Sequence, residues 1–260
     1  VKLRDSQRFV RRLIKRFIYS QLSMREALFI ALRKSQPLVL FNIEADPPSI
    51  YINFRIRPDR IDALEAFIDL PDGLTLMPIR CLEGEDPFLA ITLNAYRVSG
   101  LANGVRAEWS VYVRDHEGKP RYLVLEAQSD AGSMDPVNIV TRPGDMEHTL
   151  EGDLLRTRVA TELPGRFLAE ARIPAPERRQ TVMADRQWIE ANDYIYWRNG
   201  ICDRTFHDGA MANTPLWCIP SENLRIEDAS GWHEYIEPEP VHGVVFARRV
   251  QLAISPWWNV

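Results

Sequence analysis

The sequence predicts a mostly β protein of the α+β class, an antiparallel sheet or barrel that follows N-terminal helices and carries a Trp-rich insertion. Three observations predict it. Apolar residues recur at helical spacing up to about residue 34, and after Pro47-Pro48 the period switches to two. From there strand-length alternations follow one another, separated by turn signals instead of long helices. The stretch from Pro174 to Pro240 breaks this rhythm, being irregular and rich in Trp and Pro. With 260 residues, 45% of them hydrophobic, the chain has material for one large core.

The elements follow in order. Val10, Ile14, Phe17, Ile18 and Leu22 form an apolar stripe beside Arg8, Arg11, Arg12, Lys15 and Arg16, which makes an amphipathic basic helix. Ser23-Met24-Arg25-Glu26 is a capping box that starts a second helix to about Lys34, stopped by Pro37. Residues 1–37 are therefore a basic head and residues 38–260 the β domain, with 174–240 as its lid or insertion. Ile50, Ile52, Phe54 and Ile56 alternate with Tyr51, Asn53, Arg55 and Arg57, the pattern of a half-buried strand. A short helix over Pro58–Asp69 carries Ile61, Leu64, Phe67 and Ile68 and closes at Leu70-Pro71-Asp72-Gly73. Further strands are expected at Leu74–Arg80, Leu89–Val98, Arg106–Val113, Arg121–Ala127, Gly152–Thr161, Arg166–Ile173 and Gly243–Ile254. Ala102-Asn103-Gly104 and His116-Glu117-Gly118 mark hairpins, and Ala184–Asn192 suits a helix inside the insertion.

Charge is unevenly divided. Residues 1–34 hold ten Lys/Arg against Asp5 and Glu26, so the head carries +8 and the remainder −12. Such a head fits the acidic body, a second subunit in a homo-oligomer, or a membrane surface as a peripheral contact. Nucleic acid is disfavoured, because the acidic body repels phosphate. Cys81, Cys202 and Cys218 have no metal-type spacing, which predicts neither a disulfide framework nor a zinc site and suits a reducing cytoplasm. No apolar run reaches the roughly 20 residues of a bilayer span, and no signal-peptide pattern occurs.

Lysine is scarce. Lys2, Lys15, Lys34 and Lys119 are the four lysines against 28 arginines. A nucleophilic lysine must be desolvated, whereas Lys119 sits in the hairpin loop Asp115-His116-Glu117-Gly118-Lys119-Pro120. Carboxylates are the better candidates. Glu108 shares a strand face with Arg106, Ser110 and Tyr112, behind which lie Ala107, Trp109, Val111 and Val113; Glu126 shares one with Tyr122 and Val124. If a hairpin pairs residues whose indices sum to about 234, Glu108 lies opposite Glu126. Like charges so placed need a proton or a cation between them, and Arg97, Arg106 and Arg121 are near in sequence. That trio is the minimum for binding a carbonyl or carboxylate and moving a proton; the alternative is a salt-bridged face open to water.

The order from Ile50 to Pro136 carries a resemblance. A strand and short helix run into Leu70-Pro71-Asp72-Gly73-Leu74. The strand Leu89–Leu101 with Tyr96 follows, then Glu108-Trp109-Ser110-Val111-Tyr112-Val113-Arg114-Asp115 and a strand ending Leu125-Glu126-Ala127. This resembles the acetoacetate decarboxylase superfamily, and it implies a curved antiparallel sheet closed into a cone-like barrel around a small apolar cavity. The family pattern Gly-Arg-Glu followed by Gly-Phe-Pro-Lys-Lys, whose lysine forms a Schiff base, is replaced here by Val124 through Pro136, with only Glu126 matching. Its Tyr-x-Glu reads Tyr96-Arg97-Val98. The resemblance thus implies the fold and a lyase- or hydrolase-like site without Schiff-base chemistry.

Other motifs are weaker. Ser129 through Pro136 is rich in turn formers and could line a barrel mouth. His148, His207 and His233 each stand beside an acidic residue or close to one, and no HExxH, Gly-x-Ser-x-Gly or phosphate loop occurs. Trp188, Trp197, Trp217, Trp232, Trp257 and Trp258 either pack the core or ring a mouth for an apolar ligand. The expectation is a cofactor-independent enzyme on a small apolar keto or carboxylic compound, with Glu126, Glu108 and Arg121 as catalytic groups. Tyr96, Arg97, Arg106, Tyr122 and Trp109 would bind the substrate. A non-catalytic carrier, or a surface protein acting through its basic head, are the alternatives.

Overall fold

The computed structural model describes residues 39–100, 103–130, 141–160, 167–182, 193–198, 201–207, 216–228 and 231–254. The two helices expected before residue 37 and the one expected at Ala184–Asn192 lie outside them. Strands β1 (Val39–Ile43), β2 (Ser49–Arg55), β3 (Thr75–Leu76), β4 (Ala90–Gly100), β5 (Gly104–Arg114) and β6 (Pro120–Ser129) come first. Then follow β7 (Thr141–Pro143), β8 (Asp145–Glu151), β9 (Leu154–Ala160) and β10 (Phe167–Arg172). The stretch expected to be irregular supplies β11 (Gln180–Thr181), β12 (Asp193–Arg198), β13 (Ile201–His207), β14 (Trp217–Pro220) and β15 (Leu224–Asp228). Last come β16 (His242–Phe246) and β17 (Val250–Ile254).

Among the described residues these strands make two sheets. The larger has 13 strands, along the path β11-β14-β16-β2-β4-β1-β17-β13-β12-β6-β5-β3, with β7 on β6 and an additional β4–β5 pairing. The smaller runs β15-β10-β9-β8. The structure thus shows a mixed sheet where a closed antiparallel cone was expected, since β12 and β7 both pair β6 in parallel. The physical reason is connection length: parallel neighbours need a crossover of about a dozen residues, and the chain between β6 and β7, or between β6 and β12, is long enough to return in the same direction.

One α-helix occurs among the described residues. Pro58–Arg60 is a 3-10 turn leading into α1 (Ile61–Ile68), which ends where Asp69 takes a left-handed φ of 51°. Gly73, at φ 87°, completes the turn that the Pro-Asp-Gly sequence encodes. Leu64 is the buried residue of α1, while Phe67 is exposed and sits edge-on to Trp232.

β2, β4 and β5 fix the interior. One face carries Ile50, Ile52 and Phe54, then Ile91, Leu93 and Ala95, then Val105, Ala107, Trp109, Val111 and Val113. It packs against Met146, Leu155, Val159, Phe167 and Ala169 of the smaller sheet. The Trp109 ring centroid lies 5.8 Å from Phe54 and 6.2 Å from Phe167. The other face carries Tyr51, Asn53, Thr92, Asn94, Tyr96, Arg106, Glu108, Ser110 and Tyr112, and it is buried too, with Asn53 and Glu108 both at 0% exposure. β2 is therefore not half-buried as its alternation suggests. Its polar face is bordered by a second apolar cluster that includes Met77, Ile79, Phe88, Val182, Leu216 and Phe246.

Candidate active site

Strand register assembles the polar face in rows. His242, Asn53, Thr92 and Ser110 are successive cross-strand partners on β16, β2, β4 and β5. The next row is Tyr51, Asn94 and Glu108, ending at Ala127 of β6, and the one beyond joins Tyr96, Arg106 and Ser129. Because side chains alternate with a period of two, these polar residues converge without any loop contributing them.

Glu108 is the centre. It accepts from Arg106 Nε at 2.8 Å, from Tyr96 Oη at 3.3 Å and from Asn94 Nδ2 at 3.4 Å. Arg106 and Glu108 are both fully buried, so their attraction is little screened and compensates part of the hydration each has lost. Three tyrosines flank the pair. The Tyr112 and Tyr122 ring centroids are 5.2 Å apart, and Tyr51 lies edge-on to Tyr122 and stacks on Phe246 at 5.7 Å. Burial holds the hydroxyls of Tyr112 and Tyr122 well above the usual phenol range, so both stay protonated donors at neutral pH.

At the far end of the first row the chemistry continues outward. Thr92 donates to Asn53 Oδ1 at 2.6 Å, and Asn53 Nδ2 lies 3.2 Å from His242 Nδ1. His242 Nε2 is 3.5 Å from Glu85, whose other oxygen accepts the amides of Cys81 and Leu82. Partial burial alone would raise the Glu85 carboxyl, but His242 and the two amides bring it down to about 2. Cys81 and Cys218 are buried free thiols here. Desolvation raises both, Cys218 to about 12, which leaves no thiolate for nucleophilic work. Among the described residues no group of three or more His, Cys, Asp or Glu is arranged to hold a metal ion.

Of the expected site residues, Glu108, Arg106, Tyr96 and Tyr122 come together on this face. Glu126 does not. The pairing follows the expected index sum from Arg114↔Pro120 to Ser110↔Val124, and then a bulge shifts it, giving Trp109↔Glu126 and Glu108↔Ala127. One extra residue turns Glu126 to the opposite face, where Trp232 Nε1 donates to it at 3.2 Å and Gln128 Nε2 at 3.0 Å, with Arg142 at 3.9 Å. Arg121 is held at the hairpin end by Asp115, 2.7 Å away, and Arg97 is exposed on the reverse side of Tyr96. Trp109 packs in the apolar layer between the sheets. Trp232 is buried against Phe67 of α1 and Tyr235, and Trp217 lies under the Arg179 guanidinium. Lys119 is exposed and pairs with Glu117 in the β5–β6 loop. Asn94, Tyr51, Asn53 and the His242–Glu85 pair were not anticipated. Asparagine twice at alternate positions of otherwise apolar strands was the available signal, since Asn is disfavoured there unless its amide is used.

No family model matches the chain, and no curated protein matches it by sequence. Solved structures do match. Acetoacetate decarboxylase from Legionella pneumophila subsp. pneumophila str. Philadelphia 1 aligns with a TM-score of 0.54 at 13% identity, covering 85% of this chain and 86% of that one. A second acetoacetate decarboxylase structure gives a TM-score of 0.50 at 12% identity, with 85% and 88% covered. At such identity the likeness is one of architecture, and the resemblance read from the sequence holds at that level: the chain has the acetoacetate decarboxylase fold.

Proposed function

We propose that this protein is an enzyme acting on a small apolar keto or carboxylic compound by carboxylate and arginine acid–base chemistry, without a Schiff base and without a cofactor. The observation that carries this reading is Glu108, wholly buried yet hydrogen-bonded by Arg106, Tyr96 and Asn94 on the polar face of a decarboxylase-like fold. A buried ion pair is costly to maintain and adds little stability, so its presence beside three tyrosines suits a site better than a scaffold. Glu108 would take a proton from the carbon next to a carbonyl, while Arg106 and Tyr96 would steady the oxygen on which charge develops. Tyr51, Tyr122 and Phe246 would hold the apolar body. The exposed Lys119 supports chemistry that needs no amine.

The aromatic cluster also favours a second reading, a carrier that binds such a compound and does not turn it over. In either case we place the protein in the cytoplasm as a homo-oligomer, with residues 1–34 docking on the acidic body, on a second copy, or peripherally on a membrane.

The test is deuterium exchange at the carbon beside the carbonyl of medium-chain and aromatic ketones, followed by NMR. Glu108→Gln should lower the exchange rate about 10²-fold or more while sparing binding. Borohydride treatment with acetoacetate or pyruvate should leave the mass unchanged. Binding without exchange in the unaltered protein establishes the carrier.

A further inference from the structure

We propose that the site recognises an uncharged polar end of its ligand, a carbonyl accompanied by a hydroxyl or enol, and discriminates against a carboxylate. The inference deepens the function proposed above and rests on it. Two independent observations carry it, one of charge and one of donors and acceptors.

Among the described residues the buried charge is already paired. Among the buried residues described, Arg106 and Glu108 are the only members of the Arg, Lys, Asp and Glu set. They are joined at 2.8 Å. A ligand carboxylate entering beside them would share one guanidinium with Glu108 and stand next to a like charge in a desolvated place. Two like charges so placed, both stripped of water, are costly to bring together. A neutral carbonyl meets no such obstacle.

The hydrogen-bond inventory points the same way. An ionised carboxylate only accepts, so the Asn94 amide must turn its nitrogen toward Glu108, as it does at 3.4 Å. That fixes Oδ1 on the other side, buried and without a hydrogen-bond partner among the described residues. Ser49 Oγ is in the same condition. Tyr51 pairs with Asn94, so Ser49 on the same face of β2 is the diagonal neighbour of Asn94. Asn94 Oδ1 requires a donor, which a carboxylate cannot provide and a hydroxyl can. The Ser49 hydroxyl can donate to the accompanying carbonyl. A buried acceptor left without a donor costs free energy that a matching ligand recovers, and Tyr51 stacked on Phe246 supplies apolar cover beside it.

The test uses three ligands with one apolar tail: 4-hydroxyoctan-2-one, octan-2-one and 3-oxooctanoate, titrated into the full chain by intrinsic fluorescence. The hydroxyketone should bind at least about tenfold tighter than either of the others. In Glu108→Gln the negative charge beside the guanidinium is removed, and 3-oxooctanoate should gain about tenfold or more. In Asn94→Leu the hydroxyketone should lose its advantage over octan-2-one. If either variant does not fold, the ranking in the unaltered protein decides. A keto acid that binds it tightest, or a hydroxyketone no tighter than octan-2-one, overturns the inference and leaves the ligand site standing. Binding by none of the three removes the site itself and the inference with it.

Discussion

Trp109 and Glu108 are neighbours in sequence and have opposite surroundings. Trp109 faces the layer between the two sheets, against Phe54 and Phe167; Glu108 faces Arg106, Tyr96 and Asn94. Both side chains are at 0% exposure. Period-two alternation of polar and apolar residues is therefore a statement about two different environments, and not about which of them is wet. The apolar face stabilises by area removed from water and by dispersion. The polar face costs solvation at every position and recovers it only through register, since each group finds its partner on the adjacent strand. One face is a core and the other has the makings of a site.

The largest test of this contrast breaks the ion pair. Arg106→Met should cost about 3–5 kcal/mol in urea unfolding, because it strands the fully buried Glu108 carboxylate without its cation. The double substitution Arg106→Met with Glu108→Leu should recover most of that loss, since an apolar pair of similar volume needs no solvation. A single substitution costing less than about 1 kcal/mol would mean that the pair is solvated, and the two faces would then differ less than their burial suggests.

A second test sharpens the contrast from the apolar side. His148 is a polar side chain within the layer between the sheets, where Nδ1 meets Thr157 Oγ1 at 2.8 Å and Nε2 donates to the Pro48 carbonyl at 3.1 Å. Burial, assisted by the positive charge of Arg97 and opposed by the Pro48 carbonyl, lowers the imidazole to about 4. As pH falls the unfolded chain takes up the proton first. The stability this histidine contributes is therefore complete above its ordinary value near 6.5, declines below it, and is gone once pH passes below about 4. The loss should reach about 3 kcal/mol. Unfolding curves between pH 7 and pH 4 measure it, and His148→Gln should flatten that part of the profile. An unchanged profile would mean that another group controls the acid limb.

Much of this was legible in the sequence. The alternation of β2, β4 and β5 is plain, and the turns at Pro71-Asp72-Gly73 and Glu117-Gly118 announce themselves by residue type. What escaped was long-range or singular. No local pattern links Glu85, in the loop between β3 and β4, to His242 of β16, although their side chains meet at 3.5 Å. β11 is two residues long and β14 is four with a Trp and a Pro, so these depend on the sheet they join more than on their own periodicity. Parallel pairing of β12 and β7 with β6 leaves no turn signal at all.

The bulge in β6 is the most instructive case, because it decides between two glutamates. Tyr122-Leu123-Val124-Leu125-Glu126 contains an unbroken apolar run, Leu123, Val124 and Leu125, so no alternation of character marks where the register changes. The register slips there, and Glu126 leaves the face of Glu108 for that of Trp109. Its carboxylate, 13% exposed, becomes an acceptor for Trp232 and Gln128, which ties β6 to the segment before β16. Glu126→Gln keeps the shape and one acceptor but loses the charge, so it should cost about 1 kcal/mol of stability, the smallest effect of the set. Ketone binding and deuterium exchange should be unchanged, whereas Glu108→Gln loses exchange. If Glu126→Gln abolished exchange and Glu108→Gln did not, the catalytic carboxylate would lie on the outer side of the bulge, and the polar face would be a structural feature without the chemistry assigned to it.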